Sequence, residues 1–176
     1  MTTDEEAEFT ALVRRQSSFV FRVAYAVLLN AHDAEDTVQE VFLKLYRNSG
    51  WRDAKNEAAF LARVAWRVAV DRRRSAKPAE PIADSTLDPP SAQPGPEEML
   101  VEASQHALIH ALIDALPEDL RLPLVLSAAD DLNSREIGAI LRIPEGTVRT
   151  RLHRARQILR QRLANLNARN QENLHA

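Results

Sequence analysis

No cysteine occurs among the 176 residues. That excludes disulfides, thiolate zinc sites and thiol-based redox sensing. Long apolar runs are missing as well. The longest, Val23 to Leu29, falls far short of the ~20 residues a bilayer-spanning helix needs. The opening MTTDEEAEF is acidic rather than apolar, which is not the pattern of a signal peptide. These features predict a soluble cytoplasmic protein with no membrane insertion. There is no Gly-rich phosphate loop, no nucleophile–base pair and no internal repeat, so neither enzymatic activity nor a cofactor is expected. Glu102, His106, His110 and Asp114 recur at i, i+4 spacing, but without a third strong ligand they read as a solvated helical seam rather than a metal site.

What is present fits a globular chain, 45% hydrophobic and 27% charged, with a formal net charge of −2. The charge is unevenly placed. Residues 63–77 carry Arg63, Arg67, Arg72, Arg73, Arg74 and Lys77 against Asp71 alone. From 132 to 163 there are Arg135, Arg142, Arg149, Arg151, Arg154, Arg156, Arg160 and Arg162 against Glu136 and Glu145. Between these islands, residues 80–119 hold acidic side chains and no Lys or Arg. Two basic islands flanking an acidic middle imply two separate contact surfaces for one polyanion.

The second island has a recognisable shape. Asn133 or Ser134 can cap a short helix ending near Leu141, with Ile137, Ile140 and Leu141 apolar. Pro144 interrupts it, and Gly146 is expected to permit close approach at the corner. A longer helix follows with Val148, Leu152, Ala155 and Leu159 on one stripe. Thr150, His153, Arg154 and Gln157 then fall on the opposite face, with Arg149 and Arg156 on a flank. A short helix, a tight turn and a basic second helix make a helix-turn-helix, whose second helix enters the DNA major groove.

Upstream, the periodicity predicts helices over about 4–29, 33–47 and 57–75. Asp33 is expected to cap the second, after a turn at Asn30 and His32-Asp33. Its buried stripe is Val38, Val41, Phe42 and Leu45, leaving Asp36, Gln39, Glu40 and Leu43 off that stripe. In the third helix Phe60, Leu61, Val64, Ala65 and Val68 point inward. Arg63, Arg67 and Arg74 share a line, and Arg72 to Arg74 also suit the C-terminal helix dipole. Tyr46, Trp51 and Trp66 are aromatics that could stack on bases, although burial in the core is the commoner fate. Residues 78–96 contain Pro78, Pro81, Pro89, Pro90, Pro94 and Pro96 without apolar periodicity and read as a linker. A helix opening at Pro96 runs to about Ala115, and another from Pro117 to about Ala129, kinked or displaced by Pro123. The tail from Ala164 is polar and expected to fray.

The run EIGAILRIPEGTVRTRLHRARQIL resembles the fourth-region helix-turn-helix of bacterial sigma factors, and DAEDTVQEVFLKLY resembles their second region. The resemblance covers about residues 8–76 and 98–163, with a linker where a third region would lie and no N-terminal extension. That minimal arrangement resembles an extracytoplasmic-function (ECF) sigma factor. It implies an all-α fold of two small helical domains joined by a Pro-rich linker: a region-2-like domain over 1–77, the linker over 78–96, and a region-4-like domain over 97–176 ending in the helix-turn-helix. It also implies a function in promoter-specific transcription initiation with core RNA polymerase and promoter DNA as partners, and an anti-sigma factor as a further one. Carried over residue by residue, Arg149, Thr150, His153 and Arg154 would read the −35 element. Arg63, Arg67, Arg73 and Arg74 would lie on the −10 side, and Asp36, Gln39, Glu40 and Leu43 would dock on polymerase. At Phe60 and Arg67 the sequence departs from the Trp and Asn of many relatives, so the resemblance implies no particular −10 base preference.

The competing reading is a free-standing helix-turn-helix regulator. It would share the last 50 or so residues but calls for a ligand domain, a phosphoacceptor domain or a dimer face in front of them. The first basic island and the 33–46 pattern argue against it.

Overall fold

In the computed structural model the described residues are 3–76, 106–129 and 132–174, and all their regular structure is helical. Helix α1 spans Thr3–Leu28, α2 Ala31–Arg47 and α3 Glu57–Ser75, with a 3-10 turn at Ser49–Trp51. Residues 106–114 form the described part of α4. Then come α5 (Glu118–Leu126), α6 (Ser134–Leu141) and α7 (Glu145–Leu174). The predicted linker, the helix start at Pro96 and the Asp130-Asp131 stop lie outside the described residues.

Local chemistry sets the helix ends. The cap of α2 is Asn30, not Asp33: the Asn30 side chain accepts from the Asp33 backbone N–H at 2.9 Å. His32 and Asp33 therefore sit in the first helical turn rather than before it. Asn30 serves the orphan N–H of Asp33, so the helix starts three residues earlier than a cap at Asp33 would place it. Asn56 caps α3 in the same way, through the Ala59 N–H. Pro117 occupies the N-cap of α5, and the helix continues through Pro123, which removes only the donor for the Asp119 carbonyl. At the other end of the chain α7 stays helical to Leu174, through most of the tail expected to fray. Fraying was inferred from polarity alone, whereas Ala164, Leu166 and Ala168 sustain helical propensity.

Helices α1 to α3 bury Leu12, Val20 and Val23 against Val41, Phe42 and Leu45 and against Leu61, Ala65 and Val68. Helices α5 to α7 close around Leu126, Ile137, Ile140, Val148 and Leu152, with Leu116, Leu120 and Ala155 in a smaller cluster. The two sets are packed against each other through α1 on α5 and α3 on α6. Leu122 of α5 is 6% exposed, and its buried companions are Ala24, Ala26, Val27, Ala34 and Ala69 from the first three helices. Burying one leucine in this way contributes about 1.5–3 kcal/mol.

Candidate nucleic-acid interface

The helix-turn-helix is set by three features. Asn133 and Glu136 form a reciprocal capping box, each side chain accepting from the other's backbone N–H at 2.9–3.0 Å. Arg142 ends α6 in the left-handed conformation, φ 57. The close approach then occurs at Gly138 rather than Gly146: a Cβ on Gly138 would meet the Ile143 carbonyl oxygen at 2.7 Å, whereas one on Gly146 would meet nothing within 4 Å. The glycine that matters lies inside the first helix, where the turn folds back onto it.

Val148, Leu152 and Ala155 are buried, which fixes the rotation of α7. Arg149, Thr150, His153 and Arg154 are consequently all exposed. Arg149 pairs with Glu145 one turn back at 2.6 Å, and the Thr150 hydroxyl donates to the Gly146 carbonyl at 3.0 Å. His153 and Arg154 have no hydrogen bond or ion pair among the described residues. Arg151, on the flank, lies 4.0 Å from Asp119 of α5, and the two line a shallow groove with Pro144, Thr150 and Arg154.

On α3, Arg63, Arg67 and Arg74 are exposed and likewise without a partner among the described residues. Arg73 is different. One guanidinium nitrogen donates to the Glu118 carboxylate of α5 and, at 3.4 Å, to the Val27 carbonyl. Arg72, given no role of its own by the sequence, reaches toward α2, with Asp36 at 3.2 Å, Glu40 at 3.6 Å and Asp33 at 3.8 Å. Its Nε is buried without a hydrogen-bond partner. Asp36 and Glu40 are thus already drawn toward a cation of their own chain, and Glu40 also holds Lys44 at 2.8 Å. Gln39 is exposed beside them, and Leu43 is 56% exposed, a large apolar side chain facing solvent.

The aromatics divide. Trp51 packs on Phe9 at 6.1 Å with the Arg52 guanidinium 5.2 Å from its ring, and Trp66 is half-buried between the two sets of helices. Tyr46 touches Phe9 yet is half-exposed. In the His seam, His106 and His110 are exposed as expected, but Asp114 is not a solvated member: it accepts from the Tyr25 hydroxyl at 3.3 Å. Burial raises the ordinary values of both the Asp114 carboxyl and the Tyr25 phenol. No group of acidic and histidine side chains among the described residues could hold a metal ion, and Glu102 lies outside them.

Sequence reading missed Arg121. It is 5% exposed, and its Nε donates to the Ala26 carbonyl of α1 at 2.9 Å while Nη1 donates to the carbonyls of Leu116 and Asp114 at 2.7 and 3.0 Å. Burial lowers its ordinary value, although an arginine stays charged. A lone Arg inside the apolar run LRLPLVL was the available signal.

The fold and its two basic helices define a class. A family model described as sigma-70 region 2 matches residues 12–78, and one described as sigma-70, region 4 matches 106–171. Among curated relatives, the ECF RNA polymerase sigma factor SigW of Bacillus subtilis is 33% identical over 181 residues, covering 93% of this chain and 92% of its own. SigE of Mycolicibacterium smegmatis, another ECF RNA polymerase sigma factor, is 36% identical over 155 residues, 87% of this chain, which spans 60% of that relative's length. Two solved structures share the fold: CnrH in complex with the cytosolic domain of CnrY (TM-score 0.60, 20% identity, 91% of this chain and 90% of that one) and the sigma factor RpoE with the anti-sigma factor NepR from Bartonella quintana (0.64, 19%, 93% and 98%). The chain belongs to the ECF family of RNA polymerase sigma factors.

Proposed function

We propose that this chain directs core RNA polymerase to specific promoters, reading a −35 element with α7 and a −10 element with α3. The observation that carries this reading is the fixed rotation of α7. A buried Val148–Leu152–Ala155 stripe turns Arg149, Thr150, His153 and Arg154 outward together, with Arg154 unpaired among the described residues. Arginine suits the task because its planar fork can hold guanine or phosphate bidentately. On the −10 side Arg63, Arg67 and Arg74 supply cations for backbone phosphates, with Arg73 available once Glu118 releases it. The α2 face of Asp36, Gln39, Glu40 and Leu43 serves as the polymerase dock, an acidic rim around one exposed leucine. An anti-sigma factor is the expected regulator, as in the RpoE–NepR structure. No described helix is long and apolar enough to cross a membrane, and we place the protein in the cytoplasm with the polymerase. RNA synthesis belongs to the polymerase, and this chain contributes binding rather than a reacting group.

Run-off transcription with purified core enzyme, beside a gel shift without it, tests the reading. A transcript that needs both this chain and core is expected, with weak, salt-sensitive binding by the chain alone. Tight sequence-specific binding without any core-dependent transcript would favour the free-standing regulator.

A further inference from the structure

We propose that Arg72 is a positioning residue for polymerase binding: its guanidinium gathers the carboxylates of Asp33, Asp36 and Glu40 into one array, which a basic surface of the polymerase then takes over. The inference rests on the reading of α2 as the dock.

The geometry begins with small residues. Ala34 of α2 and Ala69 of α3 are fully buried in one cluster, so the two helices approach closely there. Arg72 follows Val68 and Ala69 at i+4 and i+3, which continues the buried stripe of α3. Its stem therefore runs along apolar surface and its head emerges beside α2. On α2 the three acids lie at i, i+3 and i+7, which is one face of the helix. One guanidinium meets all three, with Asp36 at 3.2 Å, Glu40 at 3.6 Å and Asp33 at 3.8 Å.

A simple tie between two helices would look different. Arg15 gives Nε and Nη2 to a single carboxylate, Glu57, at 3.3 and 2.8 Å. Arg72 makes one hydrogen bond, to Asp36, and its Nε is buried without a partner, the one such side-chain atom among the described residues. Leaving a buried donor unsatisfied is a cost that pairing with one acid in the manner of Arg15 would avoid. The shared position instead sets a cation among three like charges that would otherwise repel and spread. It also leaves the three carboxylates 39–46% exposed, so they face a partner together.

An array arranged in advance loses less side-chain freedom on binding, and this acts mainly on the lifetime of the complex. Its net charge acts mainly on encounter, and salt screens it. Substitution separates the two. Arg72→Lys keeps the charge but lacks the two Nη groups that reach Asp36 and Glu40 at once.

The test is the kinetics of purified core polymerase binding to the immobilised full chain, at two salt concentrations and well below the melting temperature of each variant. Arg72→Lys should associate at the native rate and dissociate about threefold to tenfold faster. Arg72→Gln should dissociate as fast and, with the array one charge more acidic, associate faster at low salt only. It carries the test should the Lys variant melt too low to assay. A residue that merely ties α2 to α3 would lower the melting temperature of both variants and leave dissociation of the folded chain at the native rate. That result, or slower dissociation, would overturn the positioning role. Gln39→Lys, on the flank of the same face and without a bond to Arg72, reports separately on the dock. Weakened capture by Gln39→Lys beside native dissociation in both Arg72 variants would leave the dock standing and remove the Arg72 role. Native capture by Gln39→Lys would remove the dock itself, and the Arg72 role with it.

Discussion

The two arginine-rich helices carry the same residue for the same kind of ligand, yet they hold it differently. On the reading face of α7 Arg154 is free and Arg149 is paired along its own helix, with Glu145 one turn back, while Arg151 on the flank reaches Asp119 of α5 at 4.0 Å. On α3 the partners come from elsewhere: Arg72 is drawn toward α2, and Arg73 is bonded to α5. An exposed i, i+4 pair is worth about 0.3–0.5 kcal/mol, so DNA can displace Glu145 at little cost. A half-buried guanidinium shared among carboxylates of another helix also fixes how the helices sit, and moving it disturbs the packing. The α7 reading face is therefore ready in the free chain, whereas on α3 Arg63, Arg67 and Arg74 are ready and Arg72 and Arg73 are tied into the rest of the fold. Charge counting alone would have ranked the two as equivalent.

The largest expected effect tests the Arg72 network. Replacing both Asp36 and Glu40 by Lys should abolish capture of core polymerase. Since both acids face Arg72, it should also place three cations together and lower thermal stability by about 1 kcal/mol. Gln39→Lys separates the two consequences, because Gln39 is exposed and makes no contact with Arg72. It should weaken capture with no change in melting. Undiminished capture by the double variant would remove α2 as the dock.

A smaller effect is expected where the two helices are compared directly. Arg154→Ala should cost about 1–3 kcal/mol at those promoter variants that keep the base it reads. Arg73→Ala should leave duplex binding by the free chain nearly unchanged, since Glu118 already occupies Arg73 there. Binding measured across single-base promoter variants at two salt concentrations checks both. Equal losses for both substitutions on every sequence would show that the α3 cation is as available as the α7 one.

How much of this could be read from sequence depends on the range of the contact. The bounds of α3 and the buried positions Val41, Phe42 and Leu45 of α2 and Val148, Leu152 and Ala155 of α7 follow from periodicity, because each face is set by spacing along one helix, while Val38 and Leu159 at the edges of those stripes are only half-buried. The cap of α2 was misplaced by a single turn because Asn30 and Asp33 are both competent caps, and only geometry shows which accepts. Gly138 was overlooked for Gly146 because a turn glycine is expected at the corner, while the constraint comes from the Ile143 carbonyl folding over the preceding helix. The seam between the two sets of helices, where α1 meets α5 and α3 meets α6, had no legible signature. The acceptors of Arg121 are backbone carbonyls, which every residue carries, and the Tyr25 partner of Asp114 is 89 residues away. The Pro-rich segment says how the halves are connected and nothing about whether their faces match.

The smallest expected effect concerns the rim of that seam. Asp114 accepts from Tyr25 across it, and burial outweighs the lowering influences of Tyr25, His110 and Arg121, so its carboxyl sits above the ordinary 3.8. The sign follows from linkage: a group with a raised value in the folded chain contributes stability that is present below 3.8 and lost as pH rises through the raised value. The charged form of the carboxyl therefore opposes this packing slightly, despite its hydrogen bond. Asp114→Asn keeps an acceptor for the Tyr25 hydroxyl and removes the desolvated charge. It should stabilise the folded chain at neutral pH by no more than about 1 kcal/mol, since Asp114 is only half-buried and solvent screens it. Thermal unfolding followed from acid to neutral pH is the measurement. The native chain should lose a small increment of stability over the window just above 3.8 that the Asn variant does not lose. If the variant instead melts lower at neutral pH, the ionised Asp114 is being held by Arg121 as a true partner, and the seam on the α5 side is tied by charge as firmly as the α3 side is.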